Sequence, residues 1–157
     1  KMQELTAIQV RELDQLMAAS RSGMHAVKCI HDVAHDLNEL RNSAHEVKYN
    51  FLLHMNKNQT EFYNQLFFDA STLQDADLVY DKLVEYLKGV QAGYNFNLQM
   101  IYTLSANSTL SDVEIATLMN FNREIFTGNK SLIMSWKNYL LPTDLSAKFS
   151  DLPTYMA

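Results

Sequence analysis

Glycine, proline and cysteine are all scarce in this chain of 157 residues, which has four, two and one of them. Sheets and irregular folds need glycine and proline at their many turns, so their scarcity favours long helices joined by few connections. The single cysteine, Cys29, excludes a disulfide framework within the chain. This is compatible with a cytosolic protein and equally with a periplasmic or exported protein that has no disulfides.

Basic clusters and long apolar runs are also missing. The formal net charge is -5, and lysine and arginine are scattered along the chain, which argues against general binding to nucleic acid or to anionic membranes. No apolar run approaches the roughly 18 residues that span a bilayer, so we expect no membrane insertion of this segment. No signal peptide is evident after Lys1, and removal of an N-terminal signal or anchor by processing stays open.

Apolar residues recur at helical spacing over most of the chain and predict an all-α protein. Between Met24 and Phe68 the gaps alternate three and four, which predicts one long helix with a narrow apolar seam (Ile30, Val33, Leu37, Leu40, Ala44, Val47 and Phe51). The segment before it has its own apolar side (Leu5, Ile8, Leu13, Leu16 and Met17). Residues 3–68 are therefore predicted helical, either continuously or with a break near residues 20–23, where Gly23 weakens the helix.

Two further long helices are predicted, over residues 72–104 and 112–141. In the first, Gly89 and Gly93 either permit a close helix approach or are simply tolerated. The pattern Ser111-Asp112-Val113-Glu114 predicts a capping box at the start of the second, and Pro142 ends it. Asn122 and Asn129 are predicted to flank its apolar seam.

The C-terminal tail, residues 142–157, either docks across the bundle or lies loose. No repeat, low-complexity block or domain boundary divides the chain, so we predict a single helical domain. Coiled-coil-like seams on long helices favour an antiparallel bundle of three to four long helices.

The clearest metal-binding pattern is Cys29-Ile30-His31-Asp32-Val33-Ala34-His35-Asp36. Histidines four residues apart lie on one face of a helix and can share a metal ion. His31 and His35 are therefore the candidate metal ligands. Because the seam turns Ile30 and Val33 inward, both histidines face outward, and a solvated helix face is the simpler interpretation.

We predict no catalytic residues and no cofactor. His54 lies near the seam without a nucleophile or an orienting partner, so no triad can be assembled. Cys29 flanks the seam, where a small structural residue is commoner than a reactive thiol. Aromatic residues on the second long helix either belong to the core or line a ligand pocket (Tyr80, Tyr86, Tyr94, Phe96 and Tyr102).

Residues 104–141 combine a Ser/Thr-rich connection, the start Thr109-Leu110-Ser111-Asp112, a Met119-Asn120 pair and the late run Trp136-Lys137-Asn138-Tyr139. This stretch resembles the C-terminal helix of TrbJ-type conjugative-transfer proteins, including the TraI-type proteins of Bacteroidetes conjugative transposons. That family consists of exported all-helical proteins, related in general plan to the minor pilus component of type IV secretion systems. It has no catalytic residues. The resemblance implies a structural role in the cell envelope.

The expected function is that of a non-enzymatic structural or interaction protein, with conjugative transfer or type IV secretion as the role that the resemblance implies. Its partners would be other transfer or secretion proteins, or further copies of itself. The periplasm or cell envelope is the favoured location, with the cytoplasm as the alternative. A ligand- or metal-sensing helical-bundle protein is the alternative function, motivated by His31, His35 and the aromatic helix.

Overall fold

The computed structural model describes residues 5–107 and 110–153, which form six α-helices and no strand. Four of these helices are long, namely α1 (Ala7–Asp32), α3 (Glu46–Thr72), α4 (Ala76–Asn107) and α5 (Asp112–Leu140). Two are short, namely α2 (Ala34–Asn42) and α6 (Thr143–Ser150). The predicted all-α bundle of long helices is confirmed.

Helix α5 lies between the other long helices. Helix α1 runs antiparallel to it, because Gln15 bonds to the carbonyl of Leu141 while Cys29, further along α1, lies against Gly128. Helix α4 also runs antiparallel to α5, whereas α3 runs parallel to it. The pairs that fix the direction of α3 are Phe51–Phe121 and Phe67–Trp136.

Two clusters of buried apolar side chains form the core. One lies where α2, α3, α4 and α5 meet (Val33, Leu40, Phe51, Leu52, Met55, Ile101, Leu110, Leu118 and Phe121). The other lies where α3, α4, α5 and α6 meet (Leu66, Val79, Leu83, Leu87, Ile133, Met134, Leu141 and Phe149). Most of α1 contributes to neither cluster, which leaves it as an outer helix on α5.

The prediction of one continuous helix from Met24 to Phe68 is wrong. The helical pattern is interrupted at Val33, and the chain turns back at residues 43–45, where Ser43 and His45 adopt extended backbone conformations. The Ser43 hydroxyl accepts a hydrogen bond of 3.1 Å from the His45 amide, and this local bond competes with helix continuation. The apolar spacing survives the turn because both arms pack on the same cluster.

The apolar seam predicted for residues 24–68 is confirmed in part. Val33, Leu40 and Phe51 are buried, whereas Ile30 and Leu37 are 46% and 41% exposed. The predicted weak point at residues 20–23 is uninterrupted helix.

The later helices begin and end close to where they were predicted. Ser111 and Glu114 form the predicted capping box, with each side chain bonded to the other residue's backbone N–H. Of the predicted tail, residues 143–150 form α6, which docks through the fully buried ring of Phe149. Residues 154–157 and the Thr109 position of the predicted helix start lie outside the described residues.

Gly89 and Gly93 do not mediate a close helix approach. A Cβ atom built on either one meets no other residue within 4 Å. The close approach is at Gly128 instead, where an added Cβ would lie 3.3 Å from the Cβ of Cys29. Gly89 and Gly93 are therefore tolerated glycines of α4, the second of the two interpretations, and a close approach of helices is found between α1 and α5.

Candidate functional site: the outer face of helix α1

Helix α1 packs on α5 through small residues. Ala19, Ala26 and Cys29 are its buried side chains. On the α5 side, the Ser135 hydroxyl donates a 2.8 Å bond to the Ala19 carbonyl, and Gly128 lies under Cys29. Small side chains let two helix backbones approach closely. The large apolar side chains of α1 all remain at least 43% exposed.

Those large side chains form a second apolar stripe on the opposite side of α1, which we call the outer face. Its members recur with gaps of three and four, at the a and d positions of a heptad pattern (Val10, Leu13, Met17, Ser20, Met24 and Val27). The five apolar members are 43% to 68% exposed. A regular a/d stripe over almost three heptads is the surface that another helix covers in a coiled coil.

Charged residues flank the outer face on one side. Asp14, Arg21 and Lys28 occupy successive e positions of the same heptad pattern. None of the ion pairs within residues 5–107 and 110–153 includes them. This row of e positions is acidic at its N-terminal end and basic at its C-terminal end, and its side chains are exposed beside the apolar stripe.

A shallow groove of about 480 Å³ adjoins the outer face. Met24 and Val27 form one wall of this groove, and Ser135 and Tyr139 of α5 form the other. Tyr139 is 69% exposed. The groove extends the apolar surface of α1 onto α5, so a helix seated on α1 would also contact Tyr139.

The two predicted metal ligands lie on separate helices. His31 is in the last turn of α1 and His35 is in α2, with the junction at Val33 between them. Their side chains are 86% and 82% exposed, and each lies near a carboxylate of its own segment, at 3.7 Å from Asp32 and 3.6 Å from Glu39. Among the residues that the structure describes, no group of three or more potential ligands is arranged around one point. Metal binding by His31 and His35 stays a prediction.

Cys29 is buried in the α1–α5 contact. Burial, and after it the Glu124 carboxylate, raise the pKa of the thiol. The thiolate is the reactive form, so this environment agrees with a structural small residue. The Nε2 atom of His54 accepts a 2.9 Å hydrogen bond from the side-chain amide of Asn58, as expected for a hydrogen-bonded residue of the bundle.

The predicted aromatic set divides between core and surface. Tyr80 packs on the cluster around Phe149, while Phe96 and Tyr102 are more than half exposed. Tyr86 and Tyr94 line a cleft between α3, α4 and α5. Asn122 and Asn129, predicted beside the seam of α5, are buried and line the same cleft.

The sequence predicts an apolar side of this helix that includes Leu13, Leu16 and Met17, but it does not tell whether that side faces the core or the solvent. The distinguishing pattern is present, since the small residues Ala19, Ala26 and Cys29 recur on the face opposite Leu13 and Met17. Periodicity alone does not tell which of two such faces packs inward.

Scans of protein-family models, curated proteins and solved structures found no match to this chain. Within residues 5–107 and 110–153, no helix has an apolar stretch long enough to cross a membrane.

Proposed function

We propose that this chain is a non-enzymatic structural protein that assembles with a second copy of itself through the outer face of α1. The observation that carries this proposal is the exposed a/d stripe, on a helix whose buried side chains are all small (Ala19, Ala26 and Cys29). Burying such a stripe against another helix releases the water on both surfaces and is the main driving force for coiled-coil association.

The charges favour an antiparallel pairing of two α1 helices. In that arrangement Val10 shares a layer with Val27 of the second copy, and Leu13 shares a layer with Met24. The same register brings Asp14 beside Lys28 of the second copy, twice because of the two-fold axis, and places the two Arg21 side chains beside each other once, at the axis itself. A parallel pairing has no such matches, because the g positions that would oppose the e row are uncharged (Gln9, Leu16, Gly23 and Ile30).

The expected affinity is modest. Half-exposed apolar side chains gain roughly 1 kcal/mol each on burial, so ten of them offer about 10 kcal/mol before the cost of association. The association cost is at least about 4 kcal/mol, which leaves about 6 kcal/mol at most, so the stripe alone gives a dissociation constant of roughly 40 µM or weaker. Contacts in the Tyr139 groove should strengthen the binding.

A charge-reversal series tests the proposal. Asp14→Lys and Lys28→Asp should each weaken the dimer, because each creates two like-charge pairs, and the double variant should restore it. Analytical ultracentrifugation over a concentration series measures the dissociation constants of the wild type and of the three variants. Leu78→Glu on α4 is the matched control, since Leu78 is 54% exposed and outside α1.

Two outcomes would contradict the proposal. A wild-type chain that remains monomeric at several hundred micromolar rules out the second copy as the occupant and points to a different helix as partner. If the wild type dimerises and the two single variants and the double variant all have its dissociation constant, the interface lies elsewhere. Circular dichroism of each variant confirms that the helices are retained.

The resemblance of residues 104–141 to TrbJ-type proteins supports a finer proposal, in which the assembled bundle is an envelope component of a conjugative transfer or type IV secretion system. Genes for a secretion ATPase and other transfer proteins are then expected beside the gene for this chain. A neighbourhood without them would argue against the transfer role and leave the proposed dimer untouched.

A further inference from the structure

Methionine sulfur is distributed unevenly between the core and the surface of this protein. Among the methionines within residues 5–107 and 110–153, Met17 and Met24 are 50% and 66% exposed. The others are buried or half-buried in the bundle (Met55, Met100, Met119 and Met134). Both exposed thioethers belong to the outer face of α1, so an oxidant in solution reaches the sulfur atoms of this face first.

The single thiol of the chain does not compete for such an oxidant. Cys29 is buried in the α1–α5 contact, and this burial, followed by the Glu124 carboxylate, raises the pKa of the thiol. The thiolate is the form that reacts with peroxides, so a buried thiol with a raised pKa stays reduced. Oxidation of helix α1 therefore occurs at the two thioethers of the outer face.

The proposed antiparallel dimer has these thioethers at its centre. In the register described above, Met24 lies opposite Leu13 of the second copy, and Met17 lies opposite Ser20 of the second copy. Each pair occurs twice because of the two-fold axis. Every inner layer of the interface therefore contains one methionine, and only the outermost layers, which consist of valines, contain none.

A sulfoxide in these layers would have no hydrogen-bond donor. The Leu13 side chain offers none, and the Ser20 hydroxyl already donates a 3.1 Å bond to the Leu16 carbonyl of its own helix. Water solvates the sulfoxide oxygen in the monomer, whereas the dimer would bury it unpaired. Oxidation therefore weakens the dimer and leaves the fold of each copy intact, because neither methionine belongs to the core.

We propose that Met17 and Met24 form a reversible oxidation site that controls assembly through the outer face. This inference rests on the dimer proposed above, and the oxidant is a peroxide. The sulfur lone pair attacks one oxygen of hydrogen peroxide, and an S–O bond forms as the O–O bond breaks. The hydroxide that leaves takes up the proton of the transferred oxygen and becomes water, so the sulfur loses two electrons and the peroxide gains them. Methionine sulfoxide reductases reverse the step by consuming two thiols, which become a disulfide.

Peroxide treatment followed by peptide mass spectrometry measures the order of oxidation. Below the dissociation constant of the dimer the chain is monomeric, so we expect Met17 and Met24 to be oxidised before Met55 and Met134. Analytical ultracentrifugation of the oxidised chain then gives its dissociation constant. The dimer would bury four sulfoxide oxygens, which should weaken it at least about 100-fold. Treatment with a reductase for each sulfoxide epimer should restore the original constant.

The double variant Met17→Leu, Met24→Leu is the matched control, since leucine keeps the apolar volume and lacks the sulfur. It should dimerise as the wild type does and stay dimeric in peroxide. Equal oxidation rates of Met17 and Met55, an oxidised wild type that dimerises as before, or a double variant that peroxide dissociates as strongly as the wild type would each overturn this inference without contradicting the dimer. An untreated chain that is monomeric at several hundred micromolar would instead refute the dimer, and the oxidation switch with it.

Discussion

Replacing Gly128 by alanine tests the close packing of α1 on α5. The added Cβ atom would lie 3.3 Å from the Cβ of Cys29 and 3.6 Å from the backbone oxygen of Ala26. Neither atom belongs to the mobile end of a side chain, because a Cβ and a carbonyl are fixed by the backbone of α1. The clash is relieved only if the two helices separate by a few tenths of an ångström.

Two effects of opposite sign set the magnitude. Glycine in a helix interior is about 1 kcal/mol less favourable than alanine, so the substitution gains that amount in α5. Overpacking a close contact costs roughly 1–3 kcal/mol. We expect the clash to dominate and Gly128→Ala to lower the free energy of unfolding by about 1 kcal/mol, or about 2–4 °C in the melting temperature of a chain of this size.

Gly93→Ala is the matched control, because Gly93 also lies inside a long helix but has free space around it. This substitution should raise the free energy of unfolding by about 1 kcal/mol. Urea denaturation followed by circular dichroism, at one protein concentration for all variants, gives both values. The free energies of unfolding of the two variants should therefore differ by about 2 kcal/mol.

A double-mutant cycle with Cys29→Gly identifies the clashing atom. Deleting the Cβ of Cys29 restores the space, so Gly128→Ala should be less harmful in that background by about 1 kcal/mol. If Gly128→Ala stabilises the chain as much as Gly93→Ala does, α1 does not pack closely on α5. The small-residue contact that leaves the outer face exposed would then be refuted.

Two further predictions concern the opposite ends of α5. Lys48, and after it the amide and hydroxyl of Ser111, lower the pKa of Glu114 to about 2 from the ordinary 4.5, so its charge stabilises the fold above pH 4.5 and loses this effect as the pH falls toward 2. Glu114→Gln keeps the capping pattern but removes the charge. Its free energy of unfolding in urea should be lower than that of the wild type at pH 6, and this difference should vanish near pH 2. A difference that does not change with pH would contradict the charge effect. Phe149→Ala should cost about 3–4 kcal/mol by the same assay, because the ring is fully buried; a loss below about 1 kcal/mol would show that α6 is not part of the core.

The sequence predicted α4 and α5 well because their limits have local causes. Ser111 and Glu114 cap the start of α5 through their own side chains, and Pro142 cannot continue a helix. The turn at residues 43–45 has neither glycine nor proline. Its extended backbone depends on the Ser43 side chain, which bonds to the His45 amide, and on the packing of α2 and α3 against one cluster. The packing is a tertiary effect, and the apolar spacing looks the same whether the helix continues or turns back.

The candidate site was harder to predict because it depends on a choice between two faces of one helix. Helix α1 has two periodic faces, and the one with large side chains looks more like a core than the one with small side chains, although only the latter packs on α5. The exposure of Met17 and Met24 follows from that choice, and their spacing in the sequence does not reveal it.

Helix α5 connects α1 to the cleft between α3, α4 and α5, since Gly128 lies against α1 while its neighbour Asn129 lines the cleft. Asn129 is held from the α3 side, where Tyr63 donates to it at 2.9 Å and Gln59 accepts from it at 2.7 Å. A shift of α5 toward or away from α1 would therefore move one wall of the cleft. Coupling between sites requires such a shared element, and it is reciprocal for binding free energies.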